Sequence, residues 1–213
     1  MKVTVLFEFS GRVRKAFHDR GHEVISVDLL ETELPGYGTH IVGDYREVMF
    51  RDADLIIAHP PCTFLSNSGV RWLYENGKRW VMKEGVRTEN KKNKDRWMDM
   101  VAAAKVFNDV LSAFANKIVV ENPIQHEHAR KLIRVYDQTV HPYQFGHTEQ
   151  KPTCLWLKGV PPLVETNNVY DEMMQLDYAE RAKIHYASPG PERWMERSRT
   201  YQGIADAMAT QWG

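Results

Sequence analysis

Cysteine is nearly absent from this sequence: there are two, Cys62 and Cys154, among 213 residues. Two cysteines cannot build a disulfide framework, and they cannot by themselves fill a four-ligand zinc site. No run of about 18 or more apolar residues is present, which argues against a membrane-spanning helix. The chain opens directly into a strand-like run with none of the layout of a signal peptide. Neither charge sign is in excess, since 28 Lys and Arg balance 28 Asp and Glu. A generally basic nucleic-acid coat is thereby excluded, but a local basic patch is not. Repeats and low-complexity tracts are also missing. What the chain does have is 43% hydrophobic residues, enough for a real core and too many for wholesale disorder. These features describe a cytoplasmic globular protein, residues 1–213 forming a single domain.

The hydrophobic pattern alternates between strand and helix. Strands are expected at 3–9, 23–29, 39–44, 54–60 and 117–123, with late strands at 139–145 and 153–157. The run 54–60 is almost continuously apolar, the pattern of a strand buried on both faces of a parallel sheet. Helices are expected at 11–20, where Ser10 offers a cap, at 94–115, at 126–136, and at 192–212 with a break near Gly203. In the helix 94–115 the apolar face is read as Met98, Val101, Ala102, Val106, Val110 and Leu111. This rhythm predicts a three-layer α/β fold around a mostly parallel sheet.

Ligands of such sheets bind at the carboxyl ends of the strands. Polar or reactive residues stand at every one: Phe7, Glu8, Phe9, Ser10 and Gly11 after the first strand, Asp28 and Leu29 at the second, Asp44 at the third, His59, Pro60, Pro61 and Cys62 at the fourth, and Glu121 and Asn122 at the fifth. A carboxylate at the Asp28 position suits the two hydroxyls of a ribose. The first turn holds a single glycine rather than a G-x-G-x-x-G pattern, so a pyrophosphate cofactor is disfavoured. A nucleoside cofactor without pyrophosphate fits better, and S-adenosyl-L-methionine is the obvious one. Cys154 sits in the apolar run Cys-Leu-Trp-Leu and reads as a core residue. Cys62 follows two prolines and precedes a loop-like stretch, the setting of a nucleophile.

In order, Phe7-Glu8-Phe9-Ser10-Gly11, Asp28, Gly43-Asp44, Pro60-Pro61-Cys62 and Glu121-Asn122 resemble the motifs of the DNA (cytosine-5) methyltransferases. The stretch from Phe145 to Thr153 stands in register with a late Tyr-Gly-x-x-Gln-x-Arg-x-Arg motif, and Tyr201-Gln202-Gly203 with a segment that returns to the cofactor site. The resemblance covers about residues 3–160 and the last helix, and looks like compact phage-type members of the family. It implies a Rossmann-like S-adenosylmethionine-dependent methyltransferase fold. It also implies that Cys62 adds to C6 of cytosine, that Glu121 holds or protonates N3, and that Asn122 orients the Cys62 loop. The cofactor would then be held by Phe7, Glu8, Phe9, Ser10, Gly11, Asp28, Leu29, Asp44, Pro60 and Gly203.

The departures concern the substrate. Glu149, Lys151 and Thr153 stand where the family has base-contacting arginines, and Lys151 lacks the planar fork of arginine. Residues 155–192 form at most a small irregular insertion in place of a recognition domain. Residues 71–96, by contrast, carry nine Lys and Arg against four acids, interleaved with Trp72, Tyr74 and Trp80. Aromatics beside positive charge suit a single strand. Residues 63–95 are therefore expected as a mobile lid on nucleic acid, with Ser66, Arg71, Trp72, Lys91 and Lys92 among its contacts. Neutralising Lys91, Lys92 and Lys94 is expected to weaken DNA binding and flatten its dependence on salt in a titration. The substrate stays open among duplex DNA, single-stranded DNA, RNA and a cytosine nucleotide, with a non-catalytic binding relative as the alternative. His126 and His128 are two residues apart and give no metal pattern.

Overall fold

Alternate residues of the apolar strands face two different cores. The structure, a computed structural model, describes residues 1–49, 52–186, 190 and 193–213. The strands are β1 (Lys2–Leu6), β2 (Glu23–Asp28), β3 (Thr39–Val42), β4 (Leu55–Ala58), β5 (Trp80–Lys83), β6 (Val86–Glu89), β7 (Lys117–Pro123), β8 (Gln138–Val140) and β9 (Thr153–Lys158). The helices are α1 (Arg12–His18), α2 (Arg46–Met49), α3 (Lys94–Leu111), α4 (Tyr170–Met174), α5 (Tyr178–Arg181), α6 (Lys183–Tyr186), α7 (Arg193–Ser198) and α8 (Gln202–Trp212). The main sheet has the order β3-β2-β1-β4-β7-β9-β8, in which β9 runs against both its neighbours and the other pairings are parallel. β5 and β6 pair only with each other.

In β4, Leu55 and Ile57 enter one core with Val3, Val5, Val119 and Leu155, while Ile56 and Ala58 enter the other with Ile118, Val120, Cys154 and Trp156. A strand with both faces covered has no polar face to show, which accounts for its continuous apolar sequence. α1 and α8 cover the first face through Val13, Phe17, Ile204, Met208 and Trp212. α3 covers the second through Met100, Ala104, Phe107 and Val110. The result is the expected three-layer α/β, Rossmann-like fold with a mostly parallel sheet. No described helix is long and apolar enough to cross a membrane.

Four expectations are corrected. The buried stripe of α3 is not the one read from the sequence: Met98 and Val101 are exposed, at 71% and 53%, and α3 ends at Leu111, short of 115. The expected helix 126–136 is a single 3-10 turn, Ala129–Lys131. Two i→i−4 bonds form, Arg130 onto His126 and Ile133 onto Ala129, but the ladder stops there: the Leu132 carbonyl takes Asn108 Nδ2 at 2.9 Å and the Arg134 carbonyl takes the Trp156 indole at 2.8 Å. The strand expected at 139–145 ends at Val140, and Pro142 opens a 3-10 turn instead. The closing helix is split at 199–201 rather than at Gly203, which lies inside α8. Its expected start, Glu192, lies outside the described residues, as do 187–189 and 191 of the segment 155–192. The described part of that segment contains the end of β9 and three short helices, α4 to α6.

Candidate functional site

The carboxyl edge of the sheet is assembled from the turns that leave β1, β2, β3, β4 and β7. β1 stops one residue before Phe7, whose backbone takes φ +58°. A bulky side chain in that region costs about 1–3 kcal/mol and persists only where its surroundings hold it. Here the Phe7 ring lies against Tyr45, with centroids 4.7 Å apart. Glu8 is buried, and its carboxylate accepts from the amides of Val13 at 2.6 Å and Arg14 at 3.3 Å. Glu8, rather than Ser10, therefore satisfies the first turn of α1. Among the described residues Ser10 Oγ reaches only the Arg12 amide, at 3.5 Å. Burial raises the Glu8 pKa, against the pull of His59 and the two amides. Gly11 takes φ +70° at the start of α1, where an added Cβ would come within 3.0 Å of Arg14, Leu34 and Thr32. Phe9 is buried, and its ring faces Trp194 of α7 at 6.0 Å.

Asp28 ends β2 and accepts from the Leu30 amide at 3.0 Å, while Leu29 beside it is exposed. Burial raises the Asp28 pKa, against the Leu30 amide and His40. Asp44 is held in two bonds by Arg46, at 2.8 and 2.6 Å, and this drops its pKa to about 2. This carboxylate, expected among the cofactor contacts, is thus already engaged, and Tyr45 supplies the aromatic face opposite Phe7. Gly203, expected at the cofactor, is tightly packed in α8. Its amide donates to His147 Nε2 at 3.0 Å, and a Cβ there would overlap the Phe145 carbonyl oxygen. Gly203→Ala is expected to cost about 1–3 kcal/mol through overpacking, measured by urea unfolding.

The reactive cluster follows from the register of β4 and β7. Ala58 lies opposite Val120, so the next residues, His59 and Glu121, are neighbours, and so are Pro60 and Asn122. His59 Nδ1 lies 2.8 Å from Glu121 Oε2, with the two side chains 8% and 13% exposed. Asn122 is buried and donates to the Pro60 carbonyl at 2.7 Å, fixing the backbone two residues before Cys62. Burial disfavours the charged form of both His59 and Glu121. Their mutual bond outweighs it, so the His59 pKa is raised and that of Glu121 lowered, Lys151 and Thr153 adding to the latter. Cys62 is half-buried. Burial pushes its thiol up, the charge of Glu121 pushes it further, and Lys151 and Arg197 oppose both. Lys151 is itself lowered by burial, against the attraction of Glu121 and Cys62, and its Nζ donates to the Arg197 carbonyl at 2.7 Å. A cavity of about 10 Å³, room for about one water, is lined by Glu121, Lys151, Thr153, Thr200, Tyr201 and Ile204.

These charges give a direct test of the resting thiol. Glu121→Gln removes a negative neighbour and is expected to lower the Cys62 pKa, speeding alkylation by iodoacetamide at pH 7. Lys151→Met is expected to slow it. Mass spectrometry separates Cys62 from the buried Cys154.

The residues expected on the substrate side divide between buried or bonded positions and the surface. Glu149 is bound by the Tyr201 hydroxyl at 2.7 Å and by Lys183 at 3.0 Å. Thr153 is buried beside Lys151, its hydroxyl donating to that residue's carbonyl at 3.4 Å. Ser66 is buried and bridges to Gln125. Residues 63–95 are not a bare loop. They hold a 3-10 helix (Asn67–Leu73), the buried Leu65, Leu73 and Tyr74, and the β5–β6 hairpin. His126 anchors the start of the segment, its Nε2 bonding the Phe64 carbonyl at 3.0 Å while its Nδ1 accepts from Ala129. Arg71 and Trp72 lie on its surface, stacked at 4.6 Å, and Lys92 lies 4.4 Å from the Trp97 ring centre. Lys91 is exposed, and its carbonyl accepts from the Glu75 amide. Trp80, 44% exposed, has the guanidinium of Arg79 at 5.2 Å and that of Arg87 at 5.1 Å.

The structure thus brings Cys62, His59, Glu121, Asn122, Lys151 and Thr153 together, with Phe7, Tyr45 and Asp28 along the same sheet edge. Tyr45, His126 and the His59–Glu121 bond escape sequence reading. Among the described residues no three His, Cys, Asp or Glu side chains are grouped as metal ligands.

No protein-family model matches the chain, and no curated protein is similar to it in sequence. Among solved structures, a medium-resolution structure of the bifunctional kinase-methyltransferase WbdD aligns at TM-score 0.42 and 13% identity, covering 77% of this chain and 36% of that one. Monomeric WbdD aligns at TM-score 0.41 and 14% identity, covering 78% and 38%. WbdD with the kinase inhibitor LY294002 aligns at 0.40 and 13%, covering 77% and 37%. The alignments span little more than a third of those chains, and at this similarity they bear on neither substrate nor chemistry.

Proposed function

We propose that this chain transfers a methyl group from S-adenosyl-L-methionine to C5 of cytosine in nucleic acid, through a covalent bond between Cys62 and C6. The observation that carries the reading is a thiol flanked by the charges of Glu121 and Lys151 at the carboxyl edge of a parallel sheet. A binding module has no use for that combination, whereas nucleophilic attack on a ring needs both parts. The residues present also fit the cofactor. Phe7 and Tyr45 offer aromatic faces, Asp28 a half-buried carboxylate for ribose hydroxyls, and no pyrophosphate cradle is built. When bound, S-adenosyl-L-methionine supplies an electrophilic methyl group.

Cys62 forms the bond to C6, and Lys151 offsets the charge of the thiolate that does so. Glu121 faces N3, where negative charge gathers as C6 is attacked. Asn122 keeps the Pro60-Pro61-Cys62 turn in place. The substrate best suited to the surface is a single strand. The basic β5–β6 hairpin presents Trp80 between two guanidiniums, and stacking on such a ring tolerates any base. The bonds that already occupy Glu149 and Asp44 favour a second reading, a relative that binds nucleic acid or cofactor without turnover.

Transfer of labelled methyl to duplex DNA, single-stranded DNA, RNA and dCMP tests the proposal. Label at C5 of cytosine, greatest on single-stranded DNA, is expected. Retained cofactor binding with no label in any substrate would overturn it in favour of the second reading.

A further inference from the structure

We propose that His59 holds the proton that cytosine takes up at N3, acting through Glu121 as a positioning residue that both orients the carboxylate and supplies it. This rests on the methyl-transfer reading and deepens it. The pairing is built into the sheet, because parallel register sets His59 beside Glu121 and the Nδ1–Oε2 bond of 2.8 Å closes it. Both side chains are almost wholly shielded from water. The other ring nitrogen, Nε2, is buried with no hydrogen-bond partner among the described residues, so Glu121 is the group that fixes the ring. Charged groups face His59 from each neighbouring turn: Glu8 after β1, Asp28 at the end of β2, Glu121 on β7 and Lys151 ahead of β9.

A carboxylate and an unprotonated ring nitrogen are both acceptors and cannot bond to each other. Glu121, held as a carboxylate by its neighbours, has no proton of its own to give. His59 Nδ1 carries one within hydrogen-bond reach. As Cys62 Sγ bonds to C6, the C5=C6 electron pair moves toward C4 and the C4=N3 pair moves onto N3. The Nδ1–H bond of His59 breaks, the proton passes to Glu121, and from Glu121 it passes to N3. His59 ends neutral, Glu121 ends as the carboxylate it began as, and the proton cancels the charge that the thiolate brought to the ring. When the adduct collapses, N3 returns the proton by the same route. The step starts from His59 as the imidazolium and from Cys62 as the thiolate, its S–H bond already broken and the proton released to solvent on its exposed side; from there atoms and charge balance without a further reactant.

Two measurements on the full chain test this. The first needs no turnover: NMR titration of the His59 imidazole in the wild type and in Glu121→Gln. The wild-type ring is expected to titrate above the ordinary histidine range. Glu121→Gln should drop it below that range, since burial then acts against a weaker partner. A ring that titrates in the ordinary range and ignores the substitution overturns the proposal. The second follows tritium release from C5-labelled cytosine in a single-stranded oligonucleotide. His59→Asn keeps an N–H donor for Glu121 but holds no titratable proton. Its kcat is expected to fall about 100-fold with KM unchanged, and the alkaline limb of the rate profile should move to lower pH. A His59→Asn variant matching an active wild type at every pH overturns the relay and leaves the methyl-transfer reading standing. A wild type that releases no tritium, and transfers no methyl, from any substrate overturns both.

Discussion

Cys62→Ala is expected to lose methyl transfer by at least about 10³-fold, the scale on which removing a nucleophile acts, with little change in stability. The two halves of that result have separate causes. The thiol is the only atom the substitution removes, and no step of the proposed route runs without the bond it makes to C6. The fold uses Cys62 through its backbone instead. Its carbonyl accepts from the Leu65 amide at 3.0 Å and the Ser66 amide at 2.9 Å, and alanine preserves both bonds. The Pro60-Pro61 turn before it is held by Asn122, which the substitution does not touch. Cys154 is the mirror case. It is fully buried between β7 and β8 in the core that holds Trp156, with its sulfur 3.8 Å from the Thr139 hydroxyl. Cys154→Ala is expected to cost about 1 kcal/mol of stability through the lost buried sulfur and the small void left behind, with methyl transfer retained. Methyl-transfer assays and urea unfolding on both variants separate the roles. Activity surviving in Cys62→Ala would exclude the covalent route.

How much of this was legible depends on whether a residue's neighbours are near in sequence or only in space. β4 could be read directly, because burial on both faces leaves no polar position and the proline pair marks its end. Cys62, Glu121 and Asn122 could be listed as strand-end residues for the same reason. That Glu121 is bonded to His59 could not, since the partners are 62 residues apart and meet only through the β4–β7 register. The α3 stripe was misread because several of its apolar residues fall outside the buried face, and composition alone does not say which side meets the sheet. The 126–136 segment has a helical pattern, but tertiary donors from α3 and Trp156 claim two of its carbonyls. The β5–β6 hairpin was hidden by its charge. Its turn, Glu84-Gly85, takes φ +51° and +78°, the sign both central residues of a tight hairpin turn require, yet glutamate at the first of these gives no sequence signal. Glu8 is the subtlest case, a residue assigned to a ligand whose carboxylate closes the first turn of α1.

Arg14→Met is expected to destabilise the chain by about 3–5 kcal/mol, since it leaves three hydrogen-bond acceptors without their donor at about 1 kcal/mol or more each. Arg14 leaves α1 toward the 30–38 loop and is among the most buried side chains of the protein. One end nitrogen donates to the Tyr37 carbonyl at 2.6 Å, and the other to the Leu34 carbonyl at 2.6 Å and the Thr32 hydroxyl at 2.8 Å. Burial lowers its pKa and the charge of Glu8 opposes that. Methionine fills a similar volume but makes none of these bonds. It leaves part-buried carbonyls unpaired at about 1–3 kcal/mol each and removes one of the two cations, with His59, that act on Glu8. Lysine preserves the charge but offers a single point donor where a fork is needed, so Arg14→Lys is expected to lose less than methionine yet remain well below wild type. The comparison that calibrates both is Lys105→Met. Lys105 forms an exposed bridge to Asp109 one turn along α3, and its removal is expected to fall within about 0.5 kcal/mol. The same loop begins two residues after Asp28, so the damage reaches the proposed cofactor site before global unfolding does. Under conditions where Arg14→Lys is still folded, its affinity for S-adenosyl-L-methionine by calorimetry is expected to fall while Cys62 alkylation is unchanged. Equal urea midpoints for Arg14→Met and wild type would show that the loop is held by something other than this guanidinium.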